Sequence, residues 1–191
     1  MGQIKVTRFD IEGLFLVEPT VHGDDRGYFF GSYNENDLKE EGINLKFVQE
    51  NQSMSKKGVL RGLHFQINHP QGKLVRVLKG RAFDIAVDLR KGSSTFGKWH
   101  GEELTEENKK QFYVPEGFAH GFLALSDTVE FLYKVTDFYH PNDEGGIYFL
   151  DKTLNIAWPE LVDENRLKDG TPLNLSEKDK NWPSFNELFG K

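Results

Sequence analysis

Apolar and polar positions alternate with period 2 along short stretches of this chain. Between residues 83 and 89, Phe83, Ile85, Val87 and Leu89 fall on one face, and Asp84, Ala86 and Asp88 on the other. Val129, Phe131, Tyr133 and Val135 repeat the pattern further on. Turn-forming residues separate the stretches at 23–27, 56–58, 69–72, 91–94, 115–117, 126–127 and 141–146. Many short alternating runs with such punctuation predict an all-β sandwich or barrel. Two segments read as helices: 34–42, with an Asn to cap its start and a Gly to stop it, and 183–189 near the end. Residues 105–109 could add one turn. After Trp158 the chain becomes polar and irregular, so this tail either wraps the barrel or is partly mobile.

Composition narrows the possibilities. A chain of 191 residues fits one domain over 1–191 and can bury roughly 70% of its unfolded surface. Sixteen Phe with 19 Gly suit aromatic pleats and tight turns better than helices. There is no cysteine, which excludes a disulfide framework, a thiol nucleophile and thiolate metal sites. A net charge of −6 argues against general nucleic-acid binding, although a few local Arg and Lys could still hold a nucleotide-sized anion. The first residues lack the apolar core of a signal peptide, and no apolar run is long enough to span a membrane. The expectation is a cytoplasmic protein with no membrane partner.

Candidate chemistry concentrates in two runs. G-V-L-R-G-L-H-F-Q, at 58–66, sets Arg61, His64 and Gln66 into an otherwise apolar strand. V-P-E-G-F-A-H-G-F, at 114–122, does the same with His120. Polar groups in such strands cost free energy unless they are satisfied, which points to a lined pocket. Arg61 and His64 are three apart and would face opposite sides of a regular pleat; Gly62 could host a bulge that re-aims one of them. Gln49 and Asn51, two apart, would present amides on one face. Lys73 opens another apolar strand, where a solvated strand end is the plain alternative. Tyr133 and Tyr139 flank an aromatic segment that could be simple packing.

The P-x-G-x-x-H pattern ending at His120 resembles the second motif of the cupin superfamily, a double-stranded β-helix barrel. Metal-binding cupins also carry H-x-H followed by Glu. Here the corresponding place reads His64-Phe65-Gln66, with no Glu at Gln71 or Lys73. An ion there would have too few ligands and a lysine beside it. A metal-free, cofactor-free pocket is expected.

Taken in order, the motifs resemble the dTDP-4-dehydrorhamnose 3,5-epimerase family. They run from G-D-D-R-G-Y-F-F at 23–30 and N-x-S-x-S at 51–55 through V-L-R-G-L-H-F-Q, Q-G-K-L-V-R-V, D-x-A-V-D-L-R and T-F-G-K-W. P-E-G-F-A-H-G-F, Y-H-P at 139–141, I-A-W-P at 156–159 and L-S-E-K-D follow. The resemblance implies a cupin jelly roll, a homodimer and a dTDP-linked 4-keto-6-deoxy sugar as substrate. It implies His64 as base, Asp179 as the group that orients it, Tyr133 as proton donor on the opposite face and Lys73 as stabiliser of an enolate oxygen. Arg26, Gln49, Asn51, Arg61, His120, Glu144 and Lys178 fall at substrate-binding positions, with Tyr139 stacking on the thymine. The N-terminal segment carrying Arg26 would reach the partner's site, and the C-terminal tail would close the chain's own. One departure is Gly31, where the family usually has an acidic residue that helps bind the nucleotide. The alternatives are a single-carbon epimerase, a non-catalytic carbohydrate-binding barrel and a metal-dependent cupin enzyme.

Overall fold

The computed structural model describes residues 3–190. In chain order the elements are β1 (Ile4–Arg8), β2 (Phe15–Pro19), β3 (His22–Asp24), β4 (Gly27–Phe29), α1 (Glu35–Glu40), β5 (Gln49–Lys56) and β6 (Leu60–Gln66). They continue with β7 (Lys73–Lys79), β8 (Arg81–Asp88), β9 (Trp99–Thr105), β10 (Gln111–Val114), β11 (Phe118–Ala124) and β12 (Thr128–Val135). Last come β13 (Glu144–Gly146), β14 (Leu161–Asp163), β15 (Arg166–Leu167), α2 (Glu177–Lys180) and α3 (Phe185–Phe189). Two sheets form a jelly roll, with strand orders β1-β2-β10-β7-β12-β5 and β13-β6-β11-β8-β9. The neighbours are antiparallel, and crossovers between the sheets make both of them mixtures of distant chain segments.

The alternating strands bury different chemistry on their two faces. Toward the space between the sheets point Val75, Val77, Ala82, Ala86, Phe112, Phe122, Val129 and Phe131. Phe122 and Phe131 stack there from opposite sheets, with ring centroids 4.3 Å apart. The Ile85, Val87 and Leu89 face of β8 points outward and is covered by Leu154, Ile156, Trp158, Leu167 and Phe185 of the tail. The tail therefore wraps the barrel. It is fastened by Phe185 N–H to Asp151 Oδ2 at 2.8 Å and Tyr148 N–H to the Pro183 carbonyl at 2.9 Å. Truncating a buried aromatic such as Phe185 to Ala costs about 3–5 kcal/mol. On the far side, α1 drops Leu38 onto Phe15, Val17, Leu74 and Tyr113.

Local signals behave as their chemistry requires. Asn34 caps α1 by accepting from the Asn36 N–H, and Gly42 follows with φ of +75°. Ser184 and Glu187 form a capping box at α3. Residues 105–109 make one turn: the Thr105 hydroxyl caps it by accepting from the Glu107 and Asn108 N–H groups, the Lys109 N–H reaches the Thr105 carbonyl at 3.3 Å, and Lys109, at φ of +54°, ends it.

Candidate active site

Strand β6 shows how a regular pleat is made to serve a pocket. His64 sits opposite His120 on β11, but Arg61 sits opposite Phe122, so β6 spends three residues where β11 spends two. The extra residue is a bulge at Gly62–Leu63. Gly62 has φ of +123°, and a Cβ there would lie 2.6 Å from the Gly121 Cα. Only glycine fits that conformation and that approach. The bulge brings Arg61 and His64 to one cavity instead of opposite faces.

That cavity, of about 270 Å³, lies between the sheets at one end of the barrel. One wall carries His64, His120 and Glu144, from β6, β11 and β13. The facing wall carries Ser53, Lys73, Phe131 and Tyr133, from β5, β7 and β12. Arg61, Phe122 and Tyr139 complete the lining.

His64 Nε2 meets Asp179 Oδ1 at 2.5 Å, across 115 residues of chain. Asp179 is 3% exposed and is held in α2 by two donors: its own N–H reaches the Ser176 cap at 3.1 Å, and Trp182 Nε1–H reaches Oδ1 at 3.2 Å. Burial pushes the Asp179 carboxyl up, but the hydrogen bond and charge of His64, with Ser176 and Trp182, outweigh it and hold the pKa below the usual range. An ionised Asp179 fixes the His64 tautomer with a hydrogen on Nε2 and leaves the other ring nitrogen free to accept a proton. That nitrogen, Nδ1, lies 3.7 Å from Glu144 Oε1. Glu144 in turn accepts from Lys178 Nζ.

Across the cavity, Tyr133 has its pKa raised, chiefly by burial and against the pull of the Arg61 charge, so the phenol remains a proton donor at neutral pH. Asn51 lies opposite Tyr133 in the β5–β12 register and accepts from Gln49 Nε2 at 2.7 Å. Lys73 is half-buried at the start of β7; desolvation lowers its pKa to about 8, partly opposed by the charges of Asp84 and Glu144. It makes no ion pair among the described residues. His120 Nε2 is 2.9 and 3.0 Å from the two oxygens of Asp84, a fully buried carboxyl whose pKa is raised by desolvation despite His120 and Lys73.

Seven of the candidate site residues, Arg61, His64, Lys73, His120, Tyr133, Tyr139 and Glu144, line this cavity, Asp179 and Lys178 bond directly to lining residues, and Gln49 and Asn51 pair with each other on β5 beside Tyr133. Arg26 does not line it. It sits at the tip of the β3–β4 hairpin, highly exposed, and pairs with Asp24 of the same hairpin. Tyr28 and Phe29 beside it are 62% and 75% exposed. Gly31 has open space around it, so nothing steric demands glycine there. Sequence reasoning missed Ser53, Phe122 and Phe131 as lining residues, Asp84 as the support of His120, and Trp182 as the second clamp on Asp179. Asp84 had a signal, a carboxylate on the polar face of an otherwise apolar strand; Trp182 had none.

A family model described as dTDP-4-dehydrorhamnose 3,5-epimerase matches residues 8–187. The chain belongs to the dTDP-4-dehydrorhamnose 3,5-epimerase family. A Pseudomonas aeruginosa member of that epimerase family is 53% identical over 183 residues, covering 95% of this chain and 96% of the relative. A crystal structure of an Elizabethkingia anophelis epimerase of this name superposes with a TM-score of 0.87 at 48% identity, over 97% of this chain and 98% of the other. The Legionella pneumophila dTDP-6-deoxy-D-glucose-3,5-epimerase, in complex with dTDP-4-keto-L-rhamnose, also has a TM-score of 0.87. It shares 47% identity over 96% of this chain and 93% of its own. No helix among the described residues is long and apolar enough to cross a membrane.

Proposed function

We propose that this chain inverts both carbons flanking the ketone of dTDP-4-dehydro-6-deoxy-D-glucose, giving dTDP-4-dehydro-L-rhamnose. The observation that carries the mechanism is the division of labour between the walls. A histidine oriented by a buried carboxylate stands on one sheet, and a protonated phenol and a half-buried lysine stand on the other.

A proton on a carbon next to a ketone is acidic because the electron pair it leaves behind delocalises onto the oxygen. His64 takes that proton through its free ring nitrogen, and Asp179 stabilises the imidazolium that forms. Lys73, charged, faces the developing enolate oxygen and favours the transition state over the ketone. Tyr133 delivers a proton to the opposite face of the same carbon, which inverts it. The phenolate and imidazolium then exchange with solvent, and the second carbon follows the same course after the sugar turns in the pocket. No redox partner is needed, since every step moves only protons.

Arg61, His120, Glu144 and Lys178 serve to hold the substrate, Gln49 and Asn51 to orient Tyr133 and the sugar, and Tyr139 to stack on the base. Arg26 and the exposed aromatics of its hairpin fit a homodimer in which that hairpin completes the partner's cavity. The single-carbon alternative uses the same base and acid, so product labelling separates the two. Incubation with dTDP-4-dehydro-6-deoxy-D-glucose in deuterated water should place solvent deuterium at both C3 and C5. Label at one carbon alone would make the chain a mono-epimerase, and label at neither would make it a binding protein.

A further inference from the structure

Outside the cavity, the chain places two imidazoles and a carboxylate together. His69, Asp137 and His140 each offer one ligand atom, and these atoms lie within 4.8 Å of one another. The His69 and His140 rings stack with centroids 4.0 Å apart and planes 16° from parallel. His69 Nδ1 is 3.6 Å from Asp137 Oδ2. A surface ion pair would account for His69 beside Asp137, but not for a second imidazole stacked on the first, where protonation of both would set like charges together.

The backbone beneath them is built firmly. Gln66, 8% exposed, donates from Nε2 to the carbonyls of His69 and Phe138 at 2.6 and 3.1 Å and accepts from the His140 N–H at 2.7 Å. Asp143, equally buried, accepts from the N–H groups of Asn68 and His69 and from the Asn68 side chain. Two buried polar side chains therefore lock the loops that carry all three ligands. A hollow of about 270 Å³, lined in part by His69 and His140, opens beside them to solvent.

We propose that His69, Asp137 and His140 form a binding site for a borderline divalent cation of the zinc type. Two imidazole nitrogens with one carboxylate oxygen suit zinc, cobalt, nickel or copper, whereas magnesium and calcium favour all-oxygen shells. Three protein ligands leave a coordination position for water. Bonds of about 2.0–2.2 Å in a tetrahedral shell put ligand atoms about 3.3 Å apart. The side chains must close by roughly 1.5 Å from their widest spacing, by rotation of the exposed His69 and the half-buried Asp137 and His140 while the locked loops stay in place.

The test is titration of untagged, chelator-treated protein with zinc by calorimetry and with cobalt by visible absorption. The expected result is one ion per chain with a micromolar Kd and cobalt bands of a nitrogen-containing shell. His69→Ala and His140→Ala should each weaken binding by at least about tenfold, as loss of one of three ligands requires. Zinc should raise the thermal midpoint of the native chain and not that of the double variant. His64→Ala should bind as the native chain does. Absence of saturable binding below about 1 mM would overturn the site, as would undiminished binding by the His69→Ala/His140→Ala chain. Loss of binding in His64→Ala would also overturn it, by moving the ion to the cavity.

Discussion

Two histidine–carboxylate pairs stand side by side in the barrel, and their differences match the roles proposed for them, His64 in the chemistry and His120 in holding substrate. His64 and His120 face each other in register on β6 and β11. The carboxylate of His120 comes from Asp84 on the next strand of the same sheet, a short-range consequence of strand order. Its partner is fully buried, and desolvation raises its pKa. The carboxylate of His64 comes from α2 in the tail, and against burial the hydrogen bond and charge of His64, with smaller contributions from Ser176 and Trp182, lower its pKa. The His64 side chain is 28% exposed and the His120 side chain 11%. A general base needs an ionised orienting group and access to substrate, whereas a binding group needs rigidity. The first pair has the former properties and the second the latter.

The comparison breaks most decisively at the histidines. His64→Ala should lower turnover by about 10³-fold or more and abolish solvent exchange at both carbons, while dTDP binding survives. Native-like exchange in that variant would transfer the base to His120. Next comes the opposite wall. Tyr133→Phe keeps the packed ring and should leave the thermal midpoint nearly unchanged while turnover falls by about 10²–10⁴-fold. Product inverted at only one carbon would sharpen the assignment, and full activity would return Tyr133 to packing.

The carboxylates should divide along the same line. Asp179→Asn should reduce kcat by about 10²-fold, because an amide no longer stabilises the imidazolium. Asp84→Asn should act mainly through KM, by about tenfold, as a loosened His120 holds substrate less well. A kcat effect equal for both would erase the distinction between the pairs. The smallest effect concerns pH. Lys73 has a folded pKa of about 8 against an ordinary 10.5. Between these values the unfolded chain binds more protons, so stability should rise with pH across that window. Activity should fall over the same range as the enolate loses its cation. Urea midpoints and kcat/KM profiles measured at pH 7 to 10 would show the two trends with opposite sign; a flat activity profile would remove Lys73 from the chemistry.

How much of this was legible in the chain depended on distance. The period-2 runs gave the strands, and the polar insertions at Arg61, His64, Lys73 and His120 marked the pocket, because a strand cannot bury such groups without partners. The bulge was legible too, since Gly62 between two groups that must share a face leaves few other solutions. The role proposed for Asp179 was readable only through family resemblance, because the polar run around it has no local feature that separates it from any solvated tail.

The sequence by itself determined the class of fold, through alternation and turn chemistry that act over a few residues, and it determined which residue types were available to the site. Tertiary structure alone decided which face of β8 met the tail and which met the space between the sheets, since both faces are buried and alternation cannot name the partner. It also decided that Trp182 and Ser176 clamp Asp179 against His64. That contact joins residues 115 apart, and its free energy comes from packing Phe185, Trp158 and Leu167 onto the outer sheet, a long-range burial that no local pattern encodes.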